Sequence, residues 1–379
     1  MSDNRRSFIK KSASLAAAST IGGVGSVVAR ASESGNRFPV REYAKDAGMQ
    51  LSEAYFRGME EKRVAFCKQL DVLGAVTGVR PAEGLKPWDS QAIKANKEAW
   101  DAIGLRWNVV EGPPALSEKT KLALEGRDEE ISNFITFMKN LKQHGGVDVI
   151  CYNWMPAIGW FRTDNARPGR GGALMTAFDY EDVKSAPDTK YGKVTKEALW
   201  KNLEYFLKAV VPEAEKIGMK LAMHPDDPQV NSIKGVERIM TSVDNFEKMM
   251  KLYPSTYNGV TLCQGNFSLM GDTDIPTLVR KWGKDKIHFV HFRNVQDLSG
   301  NKPSTKFTET FHDEGQIDMY AALKAYYDIG FKGPLRPDHV PCMASDTNDF
   351  PGYSNLGILF ALGYIRGLME SISKEKVKK

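Results

Sequence analysis

Eight short runs of β-forming residues recur along the chain, each followed by a longer stretch of helical character. The runs are Met49 to Tyr55, Gly74 to Val79, Arg106 to Glu111, Val147 to Asn153, Lys220 to His224, Gly259 to Cys263, Ile287 to Phe292, and Pro334 to Asp338. Most are rich in Val, Ile and aromatic residues and are too short for helices. Between them, apolar side chains return at helical spacing. Asp128 to Gln143 carries Ile131, Phe134, Ile135, Met138 and Leu141, and is stopped by Gly145-Gly146. Leu199 to Ile217 stops at Gly218 and Met319 to Ile329 at Gly330, and Leu356 to Ile372 closes the chain. Strand and helix alternating eight times predicts an α/β fold, a single (β/α)8 barrel over residues 46–379.

Two connections are too long to be simple turns. Trp154 to Thr195 follows the fourth strand and Asn294 to Asp318 follows the seventh. Long connections in compact domains are commonly functional, and in such a barrel the loops after the strands form the catalytic face.

The polar residues at the strand ends carry the functional argument. The fifth strand ends at His224 and the sixth at Cys263. The seventh reads His288-Phe289-Val290-His291-Phe292-Arg293, and the eighth runs into Arg336-Pro337-Asp338-His339. A barrel converges these ends on one rim, so four successive strands deliver metal-ligand side chains to one point. We expect His224, Cys263, His291 and Asp338 to hold a divalent metal. A lone His or Cys at such a position would read as a buried structural residue, and the case rests on the four together. The mixed set of imidazole, thiolate and carboxylate suits Zn2+ by ligand type, with Mn2+, Co2+ and Fe2+ also compatible. Strict alternation places His288 on the face opposite His291, as a structural residue. It also places Arg293 and Arg336 toward the mouth, where a planar guanidinium suits a substrate carboxylate. Asn153 is expected on the rim, with Cys151 packed below it.

The amino terminus reads as an address. Asn4-Arg5-Arg6-Ser7-Phe8-Ile9-Lys10 has the twin-arginine form, a mild apolar stretch follows, and Ala29-Arg30-Ala31 offers a cleavage site. Residues 1–31 are therefore expected to direct export through the twin-arginine machinery to the periplasm, with 32–45 as a linker. This segment supplies most of the formal net charge of +5. The remainder is nearly neutral and gives no electrostatic case for nucleic acid. The four cysteines form no CxxC pair, so neither a disulfide framework nor a zinc knuckle is indicated.

Several ordered motifs resemble the mannonate dehydratase family. They are Cys151-Tyr152-Asn153-Trp154-Met155-Pro156, Arg162-Thr163-Asp164, His224-Pro225-Asp226-Asp227-Pro228, Ile287 to Val295, Arg336-Pro337-Asp338-His339, Asp318-Met319-Tyr320 and Pro351-Gly352-Tyr353. The resemblance spans roughly Gly74 to Gly367. It implies a xylose isomerase-like TIM barrel, a divalent metal (Mn2+ first), and dehydration of D-mannonate to 2-dehydro-3-deoxy-D-gluconate. The metal ligands it implies fall on the same four residues, and its proton-transfer residues fall on His339 and Tyr353. Substrate contacts are expected from Arg293, Asn294, Asn153, Arg162 and Arg336. The loops Arg80 to Trp88 and Val340-Pro341-Cys342 depart from the family's pattern. Both are expected to border the pocket, which leaves room for a related aldonate. The competing readings are a sugar isomerase or epimerase on the same barrel, with Glu111 as base, and a sugar-acid binding protein without catalysis. A homo-oligomer is compatible with all three.

Overall fold

The computed structural model describes residues 48–377, so the expected export signal (1–31) and linker (32–45) lie outside the described residues. The strands are β1 Gln50–Ala54, β2 Gly74–Val76, β3 Arg106–Glu111, β4 Val149–Tyr152, β5 Asp164–Pro168, β6 Leu174–Asp179, β7 Lys220–Met223, β8 Ser232–Ile233, β9 Val236–Glu237, β10 Asn258–Cys263, β11 Ile287–His291, β12 Val295–Asp297, β13 Lys306–Glu309 and β14 Pro334–Arg336. The helices are α1 Glu61–Gln69, α2 Ser90–Ala102, α3 Glu118–Lys121, α4 Arg127–Asn140, α5 Lys196–Ile217, α6 Val243–Leu252, α7 Gln264–Ser268, α8 Ile275–Trp282, α9 Met319–Asp328 and α10 Asn355–Val377.

Eight strands close into a parallel barrel in the order β1-β14-β11-β10-β7-β4-β3-β2. All eight fall on the runs picked from the sequence; β3 has the same bounds, β10 starts one residue earlier, and the others are shorter. The helices start where local chemistry lets them. Thr195, Ser242, Asp274 and Asp318 each accept a backbone N–H of the first turn of α5, α6, α8 and α9. Gly218 ends α5 with φ of 70°, a left-handed conformation that costs glycine little.

Two apolar layers hold the barrel. Val76, Val109, Val149, Cys151, Ala222 and Phe289 fill its interior. Alternate residues such as Val110, Ile150, Leu221, Val260, Leu262 and Val290 pack outward with Phe134, Phe206, Phe246 and Tyr326 of the helices.

The alternation is broken twice, on β3 and β11. Val76 pairs with Val109 one step after Ala75 pairs with Trp107, which skips Asn108. Thr261 pairs with Phe289 one step after Val260 pairs with Ile287, which skips His288. These are β-bulges, and a bulge re-aims the side chain it carries. Strict alternation therefore fails for His288. Its imidazole lies over Gly259, where a Cβ would come within 2.4 Å of Nε2.

The two long connections are not irregular. β5 and β6 come from the first, β12 and β13 from the second, and they pair as one antiparallel sheet in the order β12-β13-β6-β5. Phe178, Val295 and Phe307 pack with Val183, Val230, Ile233 and Leu269 beneath it. Both connections had the composition of loops, and their strands find partners only in each other.

Candidate active site

The barrel rim gathers the side chains expected there. His224 follows β7, Cys263 ends β10, His291 ends β11, and Asp338 lies two residues beyond β14. Single donor atoms of His224, Cys263 and His291 all lie within 4.8 Å of one another. Asp338 Oδ2 stands 3.5 Å from Cys263 Sγ and 3.6 Å from His291 Nδ1. Asp338 has a φ of 68°, a backbone conformation that aspartate tolerates better than most residues.

The proton positions of the two imidazoles follow from their outer contacts. His224 Nδ1 is 2.7 Å from the Pro225 carbonyl and must donate to it, which leaves Nε2 with a lone pair. His291 Nε2 faces Glu111 Oε1 at 3.4 Å without hydrogen-bond geometry, and a proton on that nitrogen would leave Nδ1 with the lone pair. The two lone pairs then meet across 3.2 Å. Two acceptors at that distance call for a shared cation. Burial and the neighbouring His291 push His224 down to about 4, so a proton is a poor candidate for that cation.

Charge points the same way. Three buried carboxylates, Asp227, Glu309 and Asp338, and the partly buried Glu111 face three buried guanidiniums, Arg162, Arg293 and Arg336. The cluster carries one excess negative charge, or two once Cys263 ionises. A divalent cation among the four donors would neutralise it, and their types match a metal that accepts nitrogen, sulfur and oxygen. In the metal-free protein, burial pushes the Cys263 thiol well above its usual range. Metal binding would reverse this, because only the thiolate is a ligand.

A cavity of about 340 Å3 opens above these donors. His339 and Tyr353 meet edge to face in its wall, ring centres 5.1 Å apart. His339 Nδ1 lies 2.9 Å from Glu309 Oε1 and 2.7 Å from Arg293 Nη1, so its position is fixed from below. Burial raises the Tyr353 hydroxyl well above its ordinary range. Trp160, Phe56, Phe350 and Pro351 form the outer wall, with Phe350 stacked on Tyr353 at 4.7 Å.

Residues 49–191 and 187–379 match the family model described as D-mannonate dehydratase (UxuA). The chain belongs to this family. It is 35% identical over 328 residues to a mannonate dehydratase of Streptococcus agalactiae serotype V, covering 79% of this chain and 92% of that one. Against a mannonate dehydratase of Thermotoga neapolitana the identity is 34% over 339 residues, covering 80% and 91%. The crystal structure of mannonate dehydratase from Streptococcus suis serotype 2 superposes with a TM-score of 0.77 at 32% identity, covering 86% of this chain and 94% of that one. A xylose isomerase domain protein from Planctomyces limnophilus, 12% identical, shares the fold with a TM-score of 0.54, covering 86% and 98%.

Within this mannonate dehydratase frame, several expected substrate contacts stand elsewhere. Asn153 and Arg336 line the cavity. Arg162, Arg293 and Asn294 are outside its lining, and protein partners engage the guanidinium Nη groups and the amide, although Nε of each arginine has no hydrogen-bond partner among the described residues. Arg162 makes a two-pronged pair with Asp227 (2.6 and 3.0 Å) and reaches Glu309 at 2.5 Å. Arg293 donates to Asp227, Glu309 and Asn266. Asn294 donates to the His312 and Ile317 carbonyls and accepts from the Ile317 N–H. Alternation located the faces of these side chains but could not show what already occupied them.

Cys151 packs below Asn153 in the barrel interior as expected; it also reaches the cavity lining, and its sulfur accepts from Thr261 Oγ1 at 3.1 Å. The loop after β14 reaches the cavity through Phe350 and Pro351, whereas no residue of 80–88 is in its lining. Sequence reasoning missed Asp227 and Glu309. The Asp226-Asp227 pair after His224 was a visible signal. Glu309 had none, because it sits on a strand that was taken for a loop.

Proposed function

We propose that the chain removes water from D-mannonate, or a closely related aldonate, to give 2-dehydro-3-deoxy-D-gluconate. The observation that carries this reading is the convergence of four donor atoms beside an ordered His339–Tyr353 pair. His224, Cys263, His291 and Asp338 would hold a divalent ion, Mn2+ first, with Fe2+, Co2+ or Zn2+ as alternatives. That ion would draw charge from the substrate carboxylate and neighbouring hydroxyl as C2 loses its proton.

The chain's own groups divide the proton work. Arg293 Nη1 has two N–H groups, and giving them to Asp227 and Glu309 leaves the His339 Nδ1 proton to Glu309 and the His339 Nε2 free to take the C2 proton. Tyr353 stays protonated at neutral pH and supplies the proton for the departing C3 hydroxide. The C2–H and C3–O bonds break, a C2–C3 double bond forms, and the enol becomes the 2-keto acid. Asn153, its Oδ1 held by Lys121 at 2.9 Å, faces the substrate hydroxyls. Glu111 is engaged by Arg336 and is held down to about 2, so it acts as an orienting carboxylate and not as a base.

Incubating the metal-loaded protein with D-mannonate and following 2-keto acid formation tests the reading. Turnover abolished by Asp338→Ala and His339→Gln supports it. Stoichiometric metal without turnover on any aldonate overturns it. Export by the twin-arginine route is a separate proposal resting on Arg5-Arg6. Loss of periplasmic protein in an Arg5→Lys, Arg6→Lys double variant checks it.

A further inference from the structure

At the end of the barrel opposite the active site lies a second cavity, of about 460 Å3. It is built from strand starts: Arg106 and Asn108 of β3, Val149 of β4, Lys220 of β7 and His288 of β11. Both bulged residues, Asn108 and His288, line it.

His288 is the unusual group. It is 2% exposed, and neither ring nitrogen has a hydrogen-bond partner among the described residues. A contact with the Ile287 carbonyl falls short of hydrogen-bond geometry. A buried, unpartnered imidazole is costly unless something completes it. Gly259 leaves the space the ring occupies.

The surroundings are cationic. Arg106, Lys220, Lys284 and Lys332 line the cavity, and Lys286 also faces His288. Two carboxylates share the space. Asp148 is engaged by Lys142 at 2.6 Å, which leaves Asp285 among the cations. Converging cations with an unsatisfied N–H donor form the chemistry that receives an oxyanion.

We propose that this cavity binds a small tetrahedral oxyanion, free phosphate or the phosphate of an ester, on Lys220 and His288. The site is separate from the substrate pocket and owes nothing to its metal ligands. A bulge at each of two strands, aimed at one space, is a costly arrangement to keep for structure alone.

Calorimetric titration of the metal-loaded full chain with inorganic phosphate is the test. One saturable site is expected. Lys220→Met and His288→Gln should each weaken it about tenfold, with turnover of the active site changed less than about twofold. Lys220 is exposed, so its variant keeps the test valid if His288→Gln folds poorly. A parallel titration with methyl phosphate separates the sources: tighter binding assigns an ester, weaker binding the free ion. Absence of binding, binding indifferent to both variants, or binding lost in His224→Ala would overturn the proposal.

Discussion

Arg336 grips Glu111 through two hydrogen bonds, Nε to Oε2 at 3.0 Å and Nη2 to Oε1 at 2.8 Å. The same guanidinium reaches Asp338 Oδ1 with Nη1 at 2.9 Å. One side chain therefore braces a donor residue and the carboxylate behind His291. Removing one member of a buried ion pair leaves the other uncompensated, at a cost of about 3–5 kcal/mol. Arg336→Met is expected to lose that much in urea unfolding. Arg336→Lys, which keeps the charge but not the fork, should lose less. Equal stability of the Met variant and the parent would refute the bracing role.

Metal retention should depend on each of the four donors. His224→Ala and Cys263→Ala are expected to lower bound metal well below one equivalent and to reduce turnover about a thousandfold or more. Elemental analysis after gel filtration measures the first, and 2-keto acid formation the second. Full occupancy in both variants would remove the assignment.

Glu309 holds His339 from a strand outside the barrel. Glu309→Gln keeps the shape but removes the charge that pairs with Arg162 and Arg293. The expected result is a fall in kcat with little change in KM, together with a lower unfolding midpoint. A changed KM at constant kcat would instead place Glu309 against substrate.

Acid should weaken the metal-free fold well above the usual carboxylate range. Burial is the main cause holding His288 down to about 3 and His312 to about 4. The unfolded chain protonates both near pH 6.5, so it binds more protons than the folded one and stability falls as pH falls. Between about pH 6 and 4 the two together contribute about 2 kcal/mol per pH unit. Glu111, held at about 2, adds its own loss below about pH 4.5. Unfolding midpoints across this range should flatten in a His288→Gln, His312→Gln double variant, and an unaltered slope would contradict the assignment.

Trp160 stacks near His339, ring centres 5.2 Å apart, while remaining 40% exposed at the cavity mouth. Trp160→Ala is expected to raise KM several-fold and to lower kcat less, because the ring shields substrate without carrying a proton. Steady-state kinetics with D-mannonate decides it.

Much of this was readable from residue order. Period-two runs ending in His, Cys and Asp place a barrel rim, because alternation and parallel closure leave few other arrangements. What resisted reading was not local. Arg293 and Arg162 look like substrate clamps until their carboxylate partners, Asp227 and Glu309, are known, and these lie far away in sequence. His288 defeated alternation because a single skipped residue on β11 changes the face it occupies. β5, β6, β12 and β13 looked like loops because strand propensity is weak where pairing, not sequence, decides.

The joint sheet of β6 and β13 ties two excursions that leave the barrel at different strands. Thr308 of one pairs with Ala177 of the other, and Glu309 also bonds Thr176. Shortening either excursion would strip hydrogen bonds from its counterpart and release His339 from below. The two insertions therefore constitute a single heritable unit. A change in substrate preference that required remodelling one would have to remodel both in concert, and the β14 loop bearing Phe350 is fastened to the same unit, Cys342 to Leu174 and Asn348 to Asn165.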